Sequence, residues 1–164
     1  MGLKTKKQYI ESLRTMTPKA YMFGEKVKDV LDHPRLRAGI EATAATYELA
    51  EMPEYRDLII TTSPLINEPV NRFTLPPSSI EDLVARVKIN RTMGNRVGTC
   101  FQRCTGLDCL CALSIVTYDI DKKYQTNYYA RFIEFLKYVQ RNDLTCNAGV
   151  TDVKGDRSLS PHEQ

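Results

Sequence analysis

The stretch Gly98-Thr99-Cys100-Phe101-Gln102-Arg103-Cys104-Thr105-Gly106-Leu107-Asp108-Cys109-Leu110-Cys111 holds four of the chain's five cysteines within twelve residues. Thr99 followed by Gln102 is a capping-box pattern, and it predicts a helix that carries the cysteines and runs to about Tyr118. On such a helix Cys100 and Cys104 share one face, with Cβ atoms about 5–6 Å apart. The free N–H groups and positive dipole of a first turn, with Arg103 nearby, favour thiolates there. Two thiolates so spaced suit neighbouring corners of an iron–sulfur cluster, but a closed site needs about four ligands. Cys109 and Cys111 do not complete it on a straight helix and read as small buried hydrophobes. On spacing alone, two core cysteines are the plainer reading of C-x3-C.

Working outward, the pattern stays helical. Thr5 and Gln8 form a capping box ahead of the stripe Tyr9, Ile10, Leu13 and Met16. Asp32-His33-Pro34 opens a second helix, with His33 at its cap, which runs through the alanine-rich segment and stops at Pro53. Leu58–Thr62 reads as a short strand, and Asn67-Glu68-Pro69 as the turn before a second strand at Val70–Phe73. Ser78 and Glu81 cap a third helix, with Ile80, Leu83, Val84 and Val87 on its buried face and an end near Gly94. Asn127 opens a helix after the cysteine helix, with Phe132, Phe135, Leu136 and Val139 inward. After Asp143 the helical period stops. Leu144–Val150 looks extended, and Lys154-Gly155-Asp156 marks a turn. The expected organisation is a helical domain over residues 1–142, then residues 143–164 as the first strand of a β domain that is otherwise missing.

The bulk numbers exclude several classes. The 164 residues suit one domain, and 42% hydrophobic with 26% charged residues is ordinary for a globular chain. A net charge of +3 is spread along the sequence, so no basic face points to nucleic acid. No apolar run approaches a membrane span, and the charged N-terminus has no apolar stretch behind it, so the chain is expected to be cytoplasmic.

Gly98–Cys104, followed by Tyr118-Asp119-Ile120-Asp121-Lys122-Lys123-Tyr124, resembles the 4-hydroxybutyryl-CoA dehydratase (vinylacetyl-CoA isomerase) family. So do Tyr21–Gly24, Ala44–Glu48, Asn71-Arg72-Phe73, Thr151-Asp152 and Lys154–Ser158, in order from about Lys4 to Gln164. The wider superfamily includes flavin-dependent 4-hydroxyphenylacetate 3-monooxygenases.

The resemblance implies a mainly α fold: the helical N-terminal domain of an acyl-CoA-dehydrogenase-like architecture, with a small hairpin and the first strand of the β domain. It implies FAD and a four-iron–four-sulfur (4Fe-4S) cluster, with Cys100 and Cys104 matching the first two cysteine ligands. The remaining ligands belong to an H-x6-C motif that this chain lacks. It places Val150, Thr151, Asp152, Lys154, Gly155, Asp156 and Arg157 in the flavin-contacting loop, although Val153 stands where the family has proline. Arg91 and Gln102 match positions lining the active-site channel; from the residues alone, they read as a solvated helix end and a plain capping residue. The implied reaction converts 4-hydroxybutyryl-CoA to crotonyl-CoA in a homotetramer. The 164-residue chain alone is expected to be inactive. The alternatives are a 4-hydroxyphenylacetate 3-monooxygenase, which has no use for the cysteine pair, and a non-catalytic helical fragment.

Overall fold

Capping chemistry sets the helices. The structure, a computed structural model, describes residues 2–16, 18–149, 155, 156 and 158–163. Helix α1 (Lys6–Met16) begins at the expected capping box: the Gln8 N–H donates to Thr5 Oγ1 (3.1 Å) and the Thr5 N–H to Gln8 Oε1 (2.9 Å). A two-residue hairpin follows, β1 (Tyr21–Met22) with β2 (Glu25–Lys26), turning through positive φ at Phe23 and Gly24. Helix α2 (Pro34–Glu51) starts with proline in its first turn, where His33 Nδ1 accepts from the Arg35 N–H.

Pro53 ends α2 and also opens α3 (Pro53–Ile59), so Leu58 and Ile59 are helical and only Ile60–Thr62 forms strand β3. It pairs antiparallel with β4 (Pro69–Asn71), and the chain then tightens into a 3-10 turn at Arg72–Thr74 where a longer strand was expected. The Asn71 side chain accepts from the Phe73 N–H (3.1 Å) and holds that turn. Helix α4 (Ile80–Val97) is capped by Ser79, one residue later than expected, whose Oγ accepts from the Asp82 N–H. It runs past Gly94 to a left-handed Gly98.

Two apolar expectations fail here. The buried residues of α4 are Ile89 and Met93, whereas Ile80, Leu83, Val84 and Val87 are exposed. Phe135 is likewise 47% exposed, although Phe132, Leu136 and Val139 of the same helix are buried.

Helix α5 begins at Arg103, not Thr99, and extends to Tyr124. Helix α6 (Tyr128–Arg141) packs along it, burying Leu110 against Phe132, Leu136 and Val139. Asn127 stands at the start of α6 but makes no side-chain cap. Asp121 does that work from the end of α5, accepting from the Tyr128 and Tyr129 N–H groups (both 2.8 Å) and from Thr126 Oγ1 (2.6 Å). Gln140 ties α6 to the β3–β4 hairpin by bonding Ser63 Oγ (2.7 Å) and the Thr74 carbonyl (3.1 Å). A larger cluster, Leu49, Ile59, Phe73, Ile89, Met93 and Phe101 among its members, joins α2, α3 and α4. Among the described residues, no strand follows Asn71, and 143–149 run without helix.

Asp82 joins the 3-10 turn to α4. Its carboxylate pairs with Arg72 (2.7 Å) and accepts from the Ser78 N–H and Oγ. Partial desolvation pushes this carboxyl up, but the bonds from Ser78 and Arg72 outweigh it and hold the group below its usual range. A depressed folded-state value stabilises the fold above the unfolded carboxylate pKa of about 3.9, and that contribution disappears as the pH falls through the folded value. Urea midpoints of the chain should therefore fall below about pH 4, and Asp82→Asn should flatten that part of the profile.

Candidate active site

Between α4 and α5 the chain alternates outward and inward. Cys100 is exposed, Phe101 is buried, Gln102 is half-buried, Arg103 is 1% exposed and Cys104 is half-buried. Phe101 wedges edge-on against Phe73 (5.5 Å between centroids), and its carbonyl accepts from Thr43 Oγ1 (3.3 Å). Gln102 has φ +64° and ψ −39°, and the Arg103 N–H donates back to the Phe101 carbonyl (2.7 Å). That is a γ-turn in its rare, positive-φ form, a strained geometry for a residue with a Cβ. The expected capping role of Gln102 is thus corrected: it makes no side-chain cap, because the backbone turns sharply at this position. The shared-face expectation for the thiols falls for the same reason. Cys100 lies three residues before α5, and Cys104 is the helix's second residue. Both thiols flank the strained turn that Phe101 and Arg103 anchor from below.

Arg103 does not serve the thiols as expected. Its guanidinium turns inward to pair with the equally buried Asp143 (2.7 Å) and donates to Thr46 Oγ1 (3.2 Å) and the Leu144 carbonyl (3.4 Å). It lies over the rings of Tyr47 (4.3 Å) and Phe73 (5.4 Å). Asp143 also accepts from the Lys4 N–H (3.1 Å). The Tyr47 hydroxyl donates to the Asp143 carbonyl (3.0 Å) and lies 2.8 Å from Thr145 Oγ1. Gly106, one turn into α5, lies directly beneath the Cys146 carbonyl, where a Cβ would not fit. The segment leading toward the expected flavin loop is therefore clamped across the start of the cysteine helix. Sequence reasoning missed this clamp. Arg103 and Asp143 are both visible as charges, but no local pattern pairs residues 40 apart.

Of the expected flavin-loop residues, Val150, Thr151, Asp152, Lys154 and Arg157 lie outside the described residues. Gly155 and Asp156 are described and exposed, and the Asp156 carboxylate accepts from the Ser158 N–H (2.9 Å) and Oγ (2.7 Å). Those bonds hold its carboxyl below the ordinary range. Arg91 is exposed on α4. Cys111 and Cys146 are half-buried, and desolvation pushes both thiols up despite nearby Arg86 and Arg103, respectively. Among the described residues, no group of three or more His, Cys, Asp or Glu could hold a metal ion. Of the residues that the sequence offered as metal ligands, Cys100 is exposed and Cys104 half-buried, and both are soft donors.

Residues 5–164 match the family described as the 4-hydroxyphenylacetate 3-hydroxylase N-terminal domain. The chain belongs to that family. Within this hydroxylase family, it is 49% identical over 162 residues to the 4-hydroxybutyryl-CoA dehydratase/vinylacetyl-CoA-Δ-isomerase of Clostridium aminobutyricum, a match covering 99% of this chain and 33% of the relative. An oxygen-tolerant archaeal 4-hydroxybutyryl-CoA dehydratase from N. maritimus superposes with a TM-score of 0.90 at 44% identity, covering 99% of this chain and 32% of that one. The oxygenase component of 4-hydroxyphenylacetate 3-monooxygenase, solved with FAD and 4-hydroxyphenylacetate, shares the fold at a TM-score of 0.74 and 23% identity. This chain spans about a third of the length of each. The mainly helical fold and the resemblance to the dehydratases are thereby established.

Gln102→Gly should relieve the turn and raise the stability of the chain by about 1 kcal/mol, read as a higher urea midpoint at unchanged slope. With a maleimide at neutral pH, exposed Cys100 should label well before Cys111 and Cys146, whose thiols are half-buried and shifted upward.

Proposed function

We propose that this chain is the N-terminal part of a 4-hydroxybutyryl-CoA dehydratase and vinylacetyl-CoA isomerase, a lyase acting on an acyl-CoA with FAD and a 4Fe-4S cluster. The observation that carries the reading is the display of Cys100 and Cys104 on either side of an anchored, strained turn, in a chain 49% identical to such an enzyme. Bound flavin would supply redox chemistry, and a bound cluster Lewis acidity toward the departing hydroxyl. This chain's own part is positional. Cys100 and Cys104 would ligate the cluster, Arg91 and Gln102 would line the channel, and Val150–Arg157 would meet the flavin. Within that loop, Thr151, Asp152, Lys154, Gly155 and Asp156 supply polar contacts. The ion pair of Arg103 and Asp143 fixes the cysteine turn relative to the segment that leads into the loop. Residues 1–142 form the helical domain, residues 143–164 open a β domain, and the complete enzyme is a cytoplasmic homotetramer. Soft ligands on this turn favour the dehydratase over the monooxygenase reading.

The test is a chimera in which this chain replaces the matching third of the Clostridium aminobutyricum relative. Assayed anaerobically, it should form crotonyl-CoA from 4-hydroxybutyryl-CoA, while the 164-residue chain alone forms none. Cys100→Ser and Cys104→Ser should each lower bound iron and abolish turnover. Full iron and turnover in either variant would remove the cluster-ligand assignment.

A further inference from the structure

The first 28 residues hold seven basic and two acidic side chains, a net charge of +5 in a chain that totals +3. The fold gathers part of this excess into a groove of about 390 Å³ between the end of α1 and the β1–β2 hairpin, lined by Arg14, Lys19, Lys26 and Lys28. The hairpin builds it. Tyr21 pairs with Lys26 and the Val27 N–H donates to the Ala20 carbonyl (2.9 Å), so the same register sets Lys19 opposite Lys28. Val27 turns inward and is 7% exposed, which leaves Lys26 and Lys28, two apart on an extended segment, on the outer face. Like charges opposite one another in a hairpin are destabilising. Among the described residues, Lys19, Lys26 and Lys28 have no ion pair or hydrogen bond to offset that repulsion. The Asp29 carboxylate also lines the groove, but it accepts from the Leu31 N–H (2.8 Å), and Arg14 meets Glu11 only at 3.7 Å. Glu25 and Asp32 line the neighbouring groove instead.

We propose that this groove binds a small, multiply charged phosphate anion. A single exposed ion pair gains little, so one carboxylate would have weak purchase on these lysines. A phosphate group with several charged oxygens draws on the converging cations together. The lysine ammonium, a compact charge with three donors on a flexible stem, meets such a group from any side. Leu13 and Val27 add apolar lining beside the cations, a place for the uncharged part of a phosphate ester. Two sources share this chemistry: free phosphate anions, and the phosphorylated end of a coenzyme A thioester. The groove goes beyond the proposed reaction and does not depend on it.

The experiment titrates pyrophosphate calorimetrically, at fixed ionic strength, into the 164-residue chain and into the chimera described above. Saturable binding is expected in both, weakened at least about tenfold by Lys26→Gln with Lys28→Gln. Lys26→Arg with Lys28→Arg should keep it. So should Lys88→Gln with Lys123→Gln, a charge-matched control at exposed positions of α4 and α5. Without ligand, the Lys26 and Lys28 glutamine variant should melt no lower than the parent chain, since it removes repulsion rather than a bond. Heats that do not saturate, or equal weakening in the control pair, would overturn the proposal. Binding that the chain shows and the chimera loses would do the same, because the groove would then be covered in a complete enzyme. Coenzyme A separates the two sources, and either answer upholds the site. If it binds with the same dependence on Lys26 and Lys28 and pyrophosphate displaces it, the groove takes the phosphates of a thioester. If pyrophosphate binds and coenzyme A does not, the anion is free phosphate. Binding is read without turnover, so an inactive chimera would fail the proposed function and leave this result standing.

Discussion

A single buried ion pair holds together segments from opposite ends of the chain. Arg103 and Asp143 are each 1% exposed, and between them they engage Lys4 ahead of α1, the middle of α2, the start of α5 and the segment after α6. Removing two charges from water costs several kcal/mol per ion, and the pair is favourable only because nearly every polar atom of it is bonded. The guanidinium adds two aromatic faces to its hydrogen bonds, with only Nε left without a partner among the described residues. Removing either partner would leave the other charge buried and unpaired, at a cost of about 3–5 kcal/mol.

That constraint explains the shape of the candidate site. With Arg103 drawn inward and Phe101 wedged beneath, the residues between and beside them must face out, and Gln102 takes up the mismatch as backbone strain. The absence of a side chain at Gly106 lets the segment around Cys146 lie flat on the same helix start. Two regions remote in sequence, the cysteine turn and the segment around Cys146, thus share one support.

Much of this was legible in the amino-acid order, and the failures have physical causes. The capping box at Thr5, the proline at the start of α2 and, Phe135 apart, the apolar face of α6 are local signals, and the structure follows them. The start of α5 misled because Thr99 and Gln102 satisfy a local capping pattern that the tertiary pull on Arg103 overrides. The α4 stripe misled differently. Its periodicity predicted burial, but α4 meets the core through Ile89 and Met93 on the opposite face, and the stripe is exposed. Asn127 looked like a cap because it is the right residue in the right place, whereas Asp121 reaches across the turn with two oxygens and takes both N–H groups. Nothing local announces Arg103 with Asp143, since pairing across 40 positions leaves no pattern in a window.

The bond from the Lys4 N–H to Asp143 joins residues 139 apart. During synthesis, the residues ahead of α1 must therefore wait for Asp143 before this bond can form. At 5–20 residues per second that bond waits roughly 7–28 seconds, plus the time Asp143 takes to clear the ribosome, whereas α1 can already pack on α2, with Tyr9 stacked on Tyr47. Contacts of such long range also slow folding intrinsically. A domain built this way depends on the nascent chain staying soluble through that interval, which puts a premium on the charged, helix-forming character of its first twenty residues.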